Sequence, residues 1–334
     1  MRKILVTGGC GFIGSCFVIR QIKAGNLIVN LDSLTYAANP ENLTEIDQNS
    51  NYHFVEGDIC DQKLISEILV KFDIDILVNF AAESHVDNSI ANPGAFIQTN
   101  INGTFSLLDS ALKYWQNLSG SKKDNFRFTH ISTDEVYGSL SLEDDKFTED
   151  NKYLPNSPYS ASKAASDHLV RAWNETYKLP AIITNCSNNF GARQHSEKLI
   201  PTVIRSALAG KNIPIYGNGK NIRDWIYVED HCNGIELAIF KGEIGQSYCF
   251  GGDAERQNID IATQICQILD GLKPKSDGTS YADQISFAED RKGHDFRYAI
   301  DSSKAKKELG FELGGSFENK LQETVKYYFN FSNK

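Results

Sequence analysis

Short apolar segments alternate with longer segments of helical periodicity through the first 190 residues of the chain. The apolar segments cover residues 3–7, 27–31, 53–56, 76–80, 126–132 and 181–185. Apolar positions recur at helical spacing over residues 12–24, 62–72, about 100–114 and 160–177. Buried strands that alternate with helices are typical of a parallel sheet covered on both faces. The pattern therefore predicts an α/β fold with a Rossmann-type doubly wound parallel sheet.

The amino-acid composition of the chain changes after about residue 190. Glycine, proline and charged residues become more frequent over residues 191–198, 210–225 and 271–295. We interpret this part as a smaller C-terminal lobe that lies over the sheet. The chain is expected to return to the main sheet near residues 225–250. Two interleaved domains are therefore predicted, a Rossmann domain over residues 1–190 and a smaller lobe formed mainly by residues 191–334.

Composition narrows the class of protein. The chain has 334 residues, of which 41% are hydrophobic and 23% charged, and its net charge is −9. This acidic balance argues against a nucleic-acid binder that relies on a basic surface. The sequence has no signal-peptide pattern and no apolar run long enough to cross a bilayer. Seven scattered cysteines without a C-x-x-C pair predict reduced thiols in a cytoplasmic protein, and the histidine spacing predicts no metal site.

A glycine-rich turn joins the first predicted strand to the first predicted helix. Its sequence is Gly-Gly-Cys-Gly-Phe-Ile-Gly, from Gly8 to Gly14. Glycine allows the tight turn and the close approach of a pyrophosphate, whose charge the helix N-terminus favours. The spacing G-x-x-G-x-x-G is typical of short-chain dehydrogenases/reductases. The turn therefore predicts a dinucleotide-binding site.

Acidic and small residues at the next strand ends indicate which dinucleotide binds. A carboxylate at Asp32, after the second strand, can accept hydrogen bonds from a ribose diol and would repel a 2′-phosphate. This favours NAD over NADP. Asp58, after the third strand, is either a partner for the adenine amino group or a residue that begins a helix. Small residues at Ala81 and Ala82 leave room for the cofactor beside the fourth strand.

Five polar residues predict the chemistry. Thr133, Asp134 and Glu135 follow a predicted strand, at the sheet edge where ligands bind in open α/β folds. Tyr159 and Lys163 lie four residues apart on a helix, so they share a face and the ammonium can lower the pKa of the phenol. Asp134 and Glu135 add an acid and a base that a simple redox reaction does not need. The set predicts an enzyme that oxidises a substrate and also eliminates water from it.

Longer motifs resemble one family closely. The matching stretches cover residues 6–14, 81–87, 130–138, 157–164, 185–189, 197–201, 222–225, 293–295 and 297–298. On these motifs the chain resembles the dTDP-glucose 4,6-dehydratases of the extended short-chain dehydrogenase/reductase family. The Thr-Asp-Glu triplet separates this family from the related sugar epimerases. The resemblance implies NAD-dependent conversion of a nucleotide-diphosphate glucose to the 4-keto-6-deoxy sugar and water.

The resemblance also implies a role for each site residue. Thr133 hydrogen-bonds the C4 hydroxyl, Tyr159 takes its proton and Lys163 supports Tyr159 and the nicotinamide ribose. Glu135 removes the C5 proton, and Asp134 protonates the departing C6 hydroxyl. The residues implied for NAD are Gly8, Gly11, Phe12, Ile13, Gly14, Asp32, Leu34, Thr35, Asp58, Ile59, Phe80, Ala81, Ala82, Ser84, Thr99, Tyr159, Lys163 and Asn189. Those implied for the nucleotide sugar are Ser84, Thr133, Asn188, Lys198, Leu199, Pro214, Ile215, Tyr216, Arg223, Asn258, His294 and Tyr298.

Some alternatives stay open at this stage. The loop at residues 191–196 and Lys292 depart from the family pattern, so UDP-glucose or another nucleotide sugar is an alternative substrate. A sugar 4-epimerase or decarboxylase of the same fold is a second reading, and a non-catalytic NAD-sensing regulatory protein is a third. The family implies a homodimer through the helices near 100–114 and 160–177. The apolar residues of those helices could equally face the core; they are Phe105, Leu108, Leu112, Leu169 and Trp173.

Overall fold

A computed structural model describes residues 1–290 and 293–331. Twelve strands form in this part of the chain. They are β1 (Lys3–Thr7), β2 (Leu27–Asp32), β3 (Tyr52–Glu56), β4 (Ile76–Asn79), β5 (Arg127–Thr133), β6 (Ala181–Cys186), β7 (Asn188–Phe190), β8 (Ile213–Tyr216), β9 (Ile222–Tyr227), β10 (Ser247–Phe250), β11 (Glu255–Gln257) and β12 (Ile285–Ala288). Seven of them make one parallel sheet in the order β10-β6-β5-β4-β1-β2-β3. This order confirms the Rossmann-type doubly wound sheet.

Helices fill most of the connections. They are α1 (Phe12–Lys23), α2 (Gln62–Phe72), α3 (Val86–Ala91), α4 (Pro93–Phe96), α5 (Thr104–Gln116), α6 (Gly120–Asn125), α7 (Pro158–Tyr177), α8 (Leu199–Leu208), α9 (Val228–Lys241), α10 (Asn258–Leu272), α11 (Ser303–Leu309) and α12 (Phe317–Phe331). A π-helical segment, Ile97–Gly103, joins α4 to α5. Short 3-10 turns lie at Pro40–Leu43, Asp134–Tyr137 and Tyr281–Gln284.

Alternation along the central strands supplies a core on each face of the sheet. In β1, Leu5 packs with α2, α5 and α7, whereas Ile4 and Val6 pack on the opposite face with α1 and α9. All three side chains have no exposed surface. Because successive side chains of a strand point to opposite faces, one apolar run serves both cores.

The C-terminal part of the chain builds a second core beside the sheet ends. Helices α8, α10 and α12 pack on one another and on β8. Strands β7, β9 and β11 form a three-stranded sheet, and β8 pairs with β12. The chain also returns to the large sheet, since α9 packs against α1 and β6 and β10 pairs with β6. The strand that contains Trp225 belongs to the small sheet instead, so only the later part of the 225–250 return reaches the large one.

The remaining predictions from the sequence have mixed outcomes. Leu108 and Leu112 are buried in the core, so they face inward, whereas Phe105 is 41% exposed. All seven cysteines are free. No helix in residues 1–290 and 293–331 is long and apolar enough to cross a membrane. Lys292 lies outside the described residues.

Candidate active site

Two adjoining pockets open at the carboxyl ends of the parallel strands. The first runs from the glycine-rich turn to Lys198, and the second lies between α7, α8 and the small sheets. Glu135 and Asn188 line both pockets. A ligand that spans the two would pass the end of β5, where the predicted catalytic triplet lies.

Two glycines of the glycine-rich turn are packed too tightly to carry a side chain. A Cβ on Gly14 would lie 2.2 Å from the Gly8 carbonyl oxygen, and one on Gly8 would lie 2.7 Å from the Ala81 nitrogen. Gly8 also has a φ of 71°, which glycine adopts at little cost. Helix α1 begins at this turn with no side-chain cap and no acidic residue in its first turn. Its N–H groups therefore suit an anionic diphosphate.

Asp32 ends β2 with both carboxylate oxygens held by the backbone. The Cys10 N–H donates to Oδ2 and the Leu34 N–H donates to Oδ1, each at 2.9 Å. These bonds fix the carboxylate at the pocket wall, where a ribose diol would meet it. The local structure therefore fits NAD.

Nearly all residues predicted for the cofactor line the first pocket. Leu34 is the exception, because its side chain packs against the core beneath α1, while its neighbours Ser33 and Thr35 face the pocket. Asp58 lines the pocket and does not begin a helix, since the Asp61 side chain caps α2. The placed residues are Gly8, Gly11, Phe12, Ile13, Gly14, Asp32, Thr35, Asp58, Ile59, Phe80, Ala81, Ala82, Ser84, Thr99, Tyr159, Lys163 and Asn189.

The predicted acid and base stand in different surroundings. Asp134 is 1% exposed, and its Oδ2 atom is buried without a hydrogen-bond partner among the described residues. Burial and then the neighbouring Glu135 raise the pKa of Asp134 well above its usual value. Glu135 is half-buried and lines both pockets. Burial thus favours the protonated form of Asp134, while Glu135 faces the ligand space.

Tyr159 and Lys163 lie in the first two turns of α7. The helix begins with a capping box, in which Ser157 and Ser160 each satisfy the other's backbone N–H. Contrary to the prediction, the pKa of Tyr159 is raised well above its usual value, first by burial and then by Glu135. Lys163 does not offset this rise; its ammonium donates to the Ile131 carbonyl at 2.8 Å and lies 3.2 Å from His130 Nε2.

The second pocket contains almost every residue predicted for the substrate. Arg223 is its central cation: the side chain is 7% exposed and its guanidinium carbon lies 4.3 Å from the centre of the Tyr298 ring. The guanidinium donates to the carbonyls of Asp295 and Phe296 at 2.9 and 3.3 Å. The placed residues are Ser84, Asn188, Lys198, Leu199, Pro214, Ile215, Tyr216, Arg223, Asn258, His294 and Tyr298. Thr133 lines the first pocket, at the end of β5.

The structure adds pocket residues that the sequence did not assign. Glu83, Gln194, His195 and Glu197 line the first pocket. Three of them belong to or follow the atypical loop at 191–196, which Arg193 ties to Glu45 through an ion pair of 2.9 Å. Their place near a motif was the only signal, because a loop carries no periodicity from which its facing side can be read.

Comparison with known proteins agrees with this geometry. The model of the GDP-mannose 4,6 dehydratase family matches residues 5–324. A dTDP-glucose 4,6-dehydratase of Xanthomonas campestris pv. campestris is 53% identical, over 98% of this chain and 93% of its own. The crystal structure of dTDP-glucose 4,6-dehydratase from Bacillus anthracis in complex with NAD is 40% identical and superposes with a TM-score of 0.87, covering 100% of this chain and 98% of that one. A UDP-glucose 4-epimerase from Thermotoga maritima is 26% identical, with a TM-score of 0.86 and 99% of both chains covered.

The fold and the cleft thus define a Rossmann-type enzyme that uses a dinucleotide. Within that class the chain belongs to the GDP-mannose 4,6 dehydratase family. The resemblance to 4,6-dehydratases that the motifs indicated is therefore confirmed.

Proposed function

We propose that this protein is a dTDP-glucose 4,6-dehydratase, a hydro-lyase that uses NAD and releases water and the dTDP-4-keto-6-deoxy sugar. The observation that carries the proposal is the pairing of a fully buried Asp134 with a half-buried Glu135 beside Tyr159 in a dinucleotide cleft. An epimerase needs no such acid-base pair. Relatives that are 53% and 40% identical over 98% and 100% of this chain carry the dehydratase name.

The bound NAD would supply the redox chemistry, accepting a hydride from C4 and returning it to C6. Tyr159, as its phenolate, takes the proton of the C4 hydroxyl, which Thr133 holds in place. Lys163 supports Tyr159 and the nicotinamide ribose. The C4 ketone makes the C5 proton acidic, and Glu135 removes it. Asp134 gives its proton to the C6 oxygen, which leaves as water. Solvent hydrogen then returns to C5 on the Glu135 side.

The proton balance gives Thr133 a second role. After one turnover Tyr159 holds an extra proton and Asp134 lacks one, so a proton must pass between them before the next. The Thr133 hydroxyl lies 3.4 Å from Asp134 Oδ1, and the same side chain acts on Tyr159, whose pKa it lowers against the larger effect of burial. Thr133 therefore lies between Tyr159 and Asp134, the two groups whose protonation states must be restored before the next turnover.

The second pocket supports a nucleoside diphosphate. We propose that Arg223, Lys198 and Asn188 bind the diphosphate, because a buried guanidinium and an ammonium suit a doubly anionic group. Pro214, Ile215 and Tyr216 would lie against the base. Residues 1–190 would form the NAD-binding domain and residues 191–334 most of the substrate lobe, with the return near 225–250.

We further propose that the protein is a cytoplasmic homodimer. Phe105 and Tyr177 are 41% and 46% exposed, and Trp173 stacks edge-on between them with ring-centroid distances of 5.9 and 5.5 Å. An aromatic patch on two adjacent helices suits a symmetric helix interface. Light scattering of the parent and of Phe105→Glu tests this: the variant should be a monomer.

Product analysis tests the proposed activity. Purified protein with NAD and dTDP-glucose should yield the 4-keto-6-deoxy sugar, and UDP-glucose should react more slowly. Formation of dTDP-galactose without loss of water would identify an epimerase instead. No conversion of either sugar, with NAD still bound, would favour the regulatory alternative.

A further inference from the structure

A closed polar network lies behind the catalytic cleft, on the side of α7 that faces the sheet. Its centre is Asp167, a carboxylate that is 1% exposed. Asp167 follows Lys163 by one helical turn, so both side chains leave α7 on the same face. Neither the oxidation nor the elimination, as derived above, uses this buried acid.

Three donors converge on one oxygen of Asp167. Ser132 Oγ donates to Oδ2 at 2.7 Å, the Tyr153 hydroxyl at 3.0 Å and the Asn185 amide at 3.4 Å. Such convergence suits an acceptor-only carboxylate. The other oxygen, Oδ1, lies 3.4 Å from His130 Nε2 and has no hydrogen bond among the described residues. The carboxylate is therefore held rigidly with one oxygen aimed at the imidazole.

His130 joins this carboxylate to the catalytic lysine. The imidazole has no exposed surface, and its Nε2 atom lies 3.2 Å from Lys163 Nζ. Burial lowers the pKa of His130 to about 4, so the ring is neutral at physiological pH. Both contacts fall on the Nε2 atom, which in a neutral ring either accepts from the ammonium or donates to the carboxylate, so the ring bridges the two charged groups by its position between them.

We propose that Asp167, acting through the His130 imidazole, is the positioning residue and buried counter-charge that holds the Lys163 ammonium at the foot of the cleft. The inference rests on the proposed function, in which Lys163 supports Tyr159 and the nicotinamide ribose. A positive charge buried without compensation is costly, and an anion within a few ångströms offsets that cost.

Other titratable groups around Lys163 do not supply that anion. Burial raises the pKa of Cys186 on β6, and of Tyr137 and Tyr153 beside Asp167, so all three stay neutral. The raised pKa of Asp134 keeps that acid protonated, and Tyr159 is the phenol that Lys163 serves. Glu135 faces the pockets on the cleft side. Asp167 is therefore the group that supplies the negative charge near the Lys163 ammonium on the sheet side of α7.

The proposal predicts that removing the charge of Asp167 moves the alkaline inflection of the pH–kcat profile to lower pH. Burial lowers the pKa of Lys163 to about 8, and Asp167 opposes that fall. The cationic lysine is present below this pKa and lost above it, so activity should decline as pH rises through it. Asp167→Asn keeps the shape and removes the charge. Its alkaline inflection in kcat should lie about one pH unit lower than in the parent, with affinity for dTDP changed less than about twofold.

Tyr153→Phe is the matched control, because it deletes a hydrogen bond to the same carboxylate and keeps the charge. Its inflection should coincide with that of the parent. The same inflections can be read without turnover by calorimetric titration of NAD at each pH. That measurement still reports on Lys163 if the parent does not dehydrate dTDP-glucose, so a failure of the proposed function is recognised separately.

Suppose that folded Asp167→Asn loses only thermal stability or kcat and keeps the alkaline inflection of the parent. That result would make Asp167 a structural residue and overturn the proposal. If this variant does not fold, His130→Phe carries the test. It breaks the bridge and leaves the Ser132, Tyr153 and Asn185 bonds to the carboxylate. Its inflection should also move to lower pH, and a profile that matches the parent would contradict the proposal.

Discussion

Two adjacent carboxyl groups can have different protonation states when only one of them is desolvated. Asp134 is buried on the sheet side of its 3-10 turn, whereas Glu135 reaches the pockets. Desolvation favours the neutral form of the first, and the solvent-facing position of the second suits a base. Under the proposed function, the elimination would therefore take its acid from the buried carboxyl group and its base from the one that faces the pockets.

Substitution of either carboxyl group should separate oxidation from elimination. Asp134→Asn and Glu135→Gln should still oxidise C4, because the proposal assigns neither group to that step, but should stall before water is lost. We expect reduced nicotinamide to accumulate on the enzyme and the rate of product release to fall about 10²-fold or more. Stopped-flow absorbance with dTDP-glucose measures both. Formation of product at the parent rate by both variants would refute the assignment.

Asp134 should also cost stability at the pH where the enzyme works. Its folded pKa is raised above the unfolded value, so the folding advantage of the neutral form is complete below about pH 4 and is lost as pH rises towards the folded pKa. Asp134→Asn stays neutral throughout. Thermal melts at pH 8 should give it a higher melting temperature than the parent, and the difference should vanish near pH 4. A lower melting temperature at pH 8 would show that the carboxylate is stabilised by contacts that the account omits.

At the scale of elements, the sequence predicts the strands of the large sheet closely but does not predict the π-helical segment that precedes α5. Strands β1 to β6 lie within two residues of their predicted bounds, because each is an apolar run with turn residues at both ends. The helix predicted from residue 100 begins as the π-helical segment Ile97–Gly103, in which the Asn100 amide donates to Ser162 and to the Glu83 carbonyl. Such a widened turn is set by tertiary contacts and not by local pattern.

The C-terminal helices show a different limit. Helix α10 has Ile261, Ile265 and Leu269 four residues apart, a clear helical stripe that the sequence analysis did not use. The catalytic motif was recognised from its residues alone, whereas the environment of Tyr159 was not, because burial and the direction of Lys163 depend on the whole network behind α7.

The packing of α1 on the glycine-rich turn can be tested with one methyl group. Gly14→Ala would place Cβ 2.2 Å from a backbone oxygen, so the helix must move away from the strand ends. We expect NAD affinity to fall by about 1–3 kcal/mol, measured by calorimetry. Gly271→Ala is the control, because a Cβ there meets no atom within 4 Å. Equal NAD affinity in the parent, Gly14→Ala and Gly271→Ala would contradict the tight packing of Gly14 against the Gly8 carbonyl oxygen.

At the scale of the whole molecule, the proposed function places cofactor and substrate on different cores. The first pocket, proposed for NAD, rests on the large sheet, and the second, proposed for the substrate, is closed by the small sheets and α8. Arg223, on β9, contributes from the second core towards the end of β5. A nucleotide sugar would bridge the two lobes, with its sugar at the triplet and its diphosphate at the arginine.

Arg223→Ala should weaken dTDP binding by about 2–3 kcal/mol, because a desolvated diphosphate would lose a charged partner. Its register partner on β11 supplies the control: Arg256→Ala removes an arginine that pairs with Glu318 and stacks on Phe317, outside both pockets. Calorimetry should show unchanged dTDP affinity in that variant and unchanged NAD affinity in both. A parallel loss of NAD affinity in Arg223→Ala would indicate a damaged fold.

The central claim is a closed redox cycle in which hydrogen leaves C4 and returns to C6 of the same sugar. Substrate deuterated at C4 should give product deuterated at C6, with solvent hydrogen at C5 and no free reduced cofactor. Mixing the deuterated substrate with a protium substrate that carries heavy carbon, followed by mass spectrometry, measures whether the transfer stays within one molecule. The account predicts deuterium only in the light-carbon product; deuterium in the heavy-carbon product, or release of stoichiometric reduced cofactor, would contradict it.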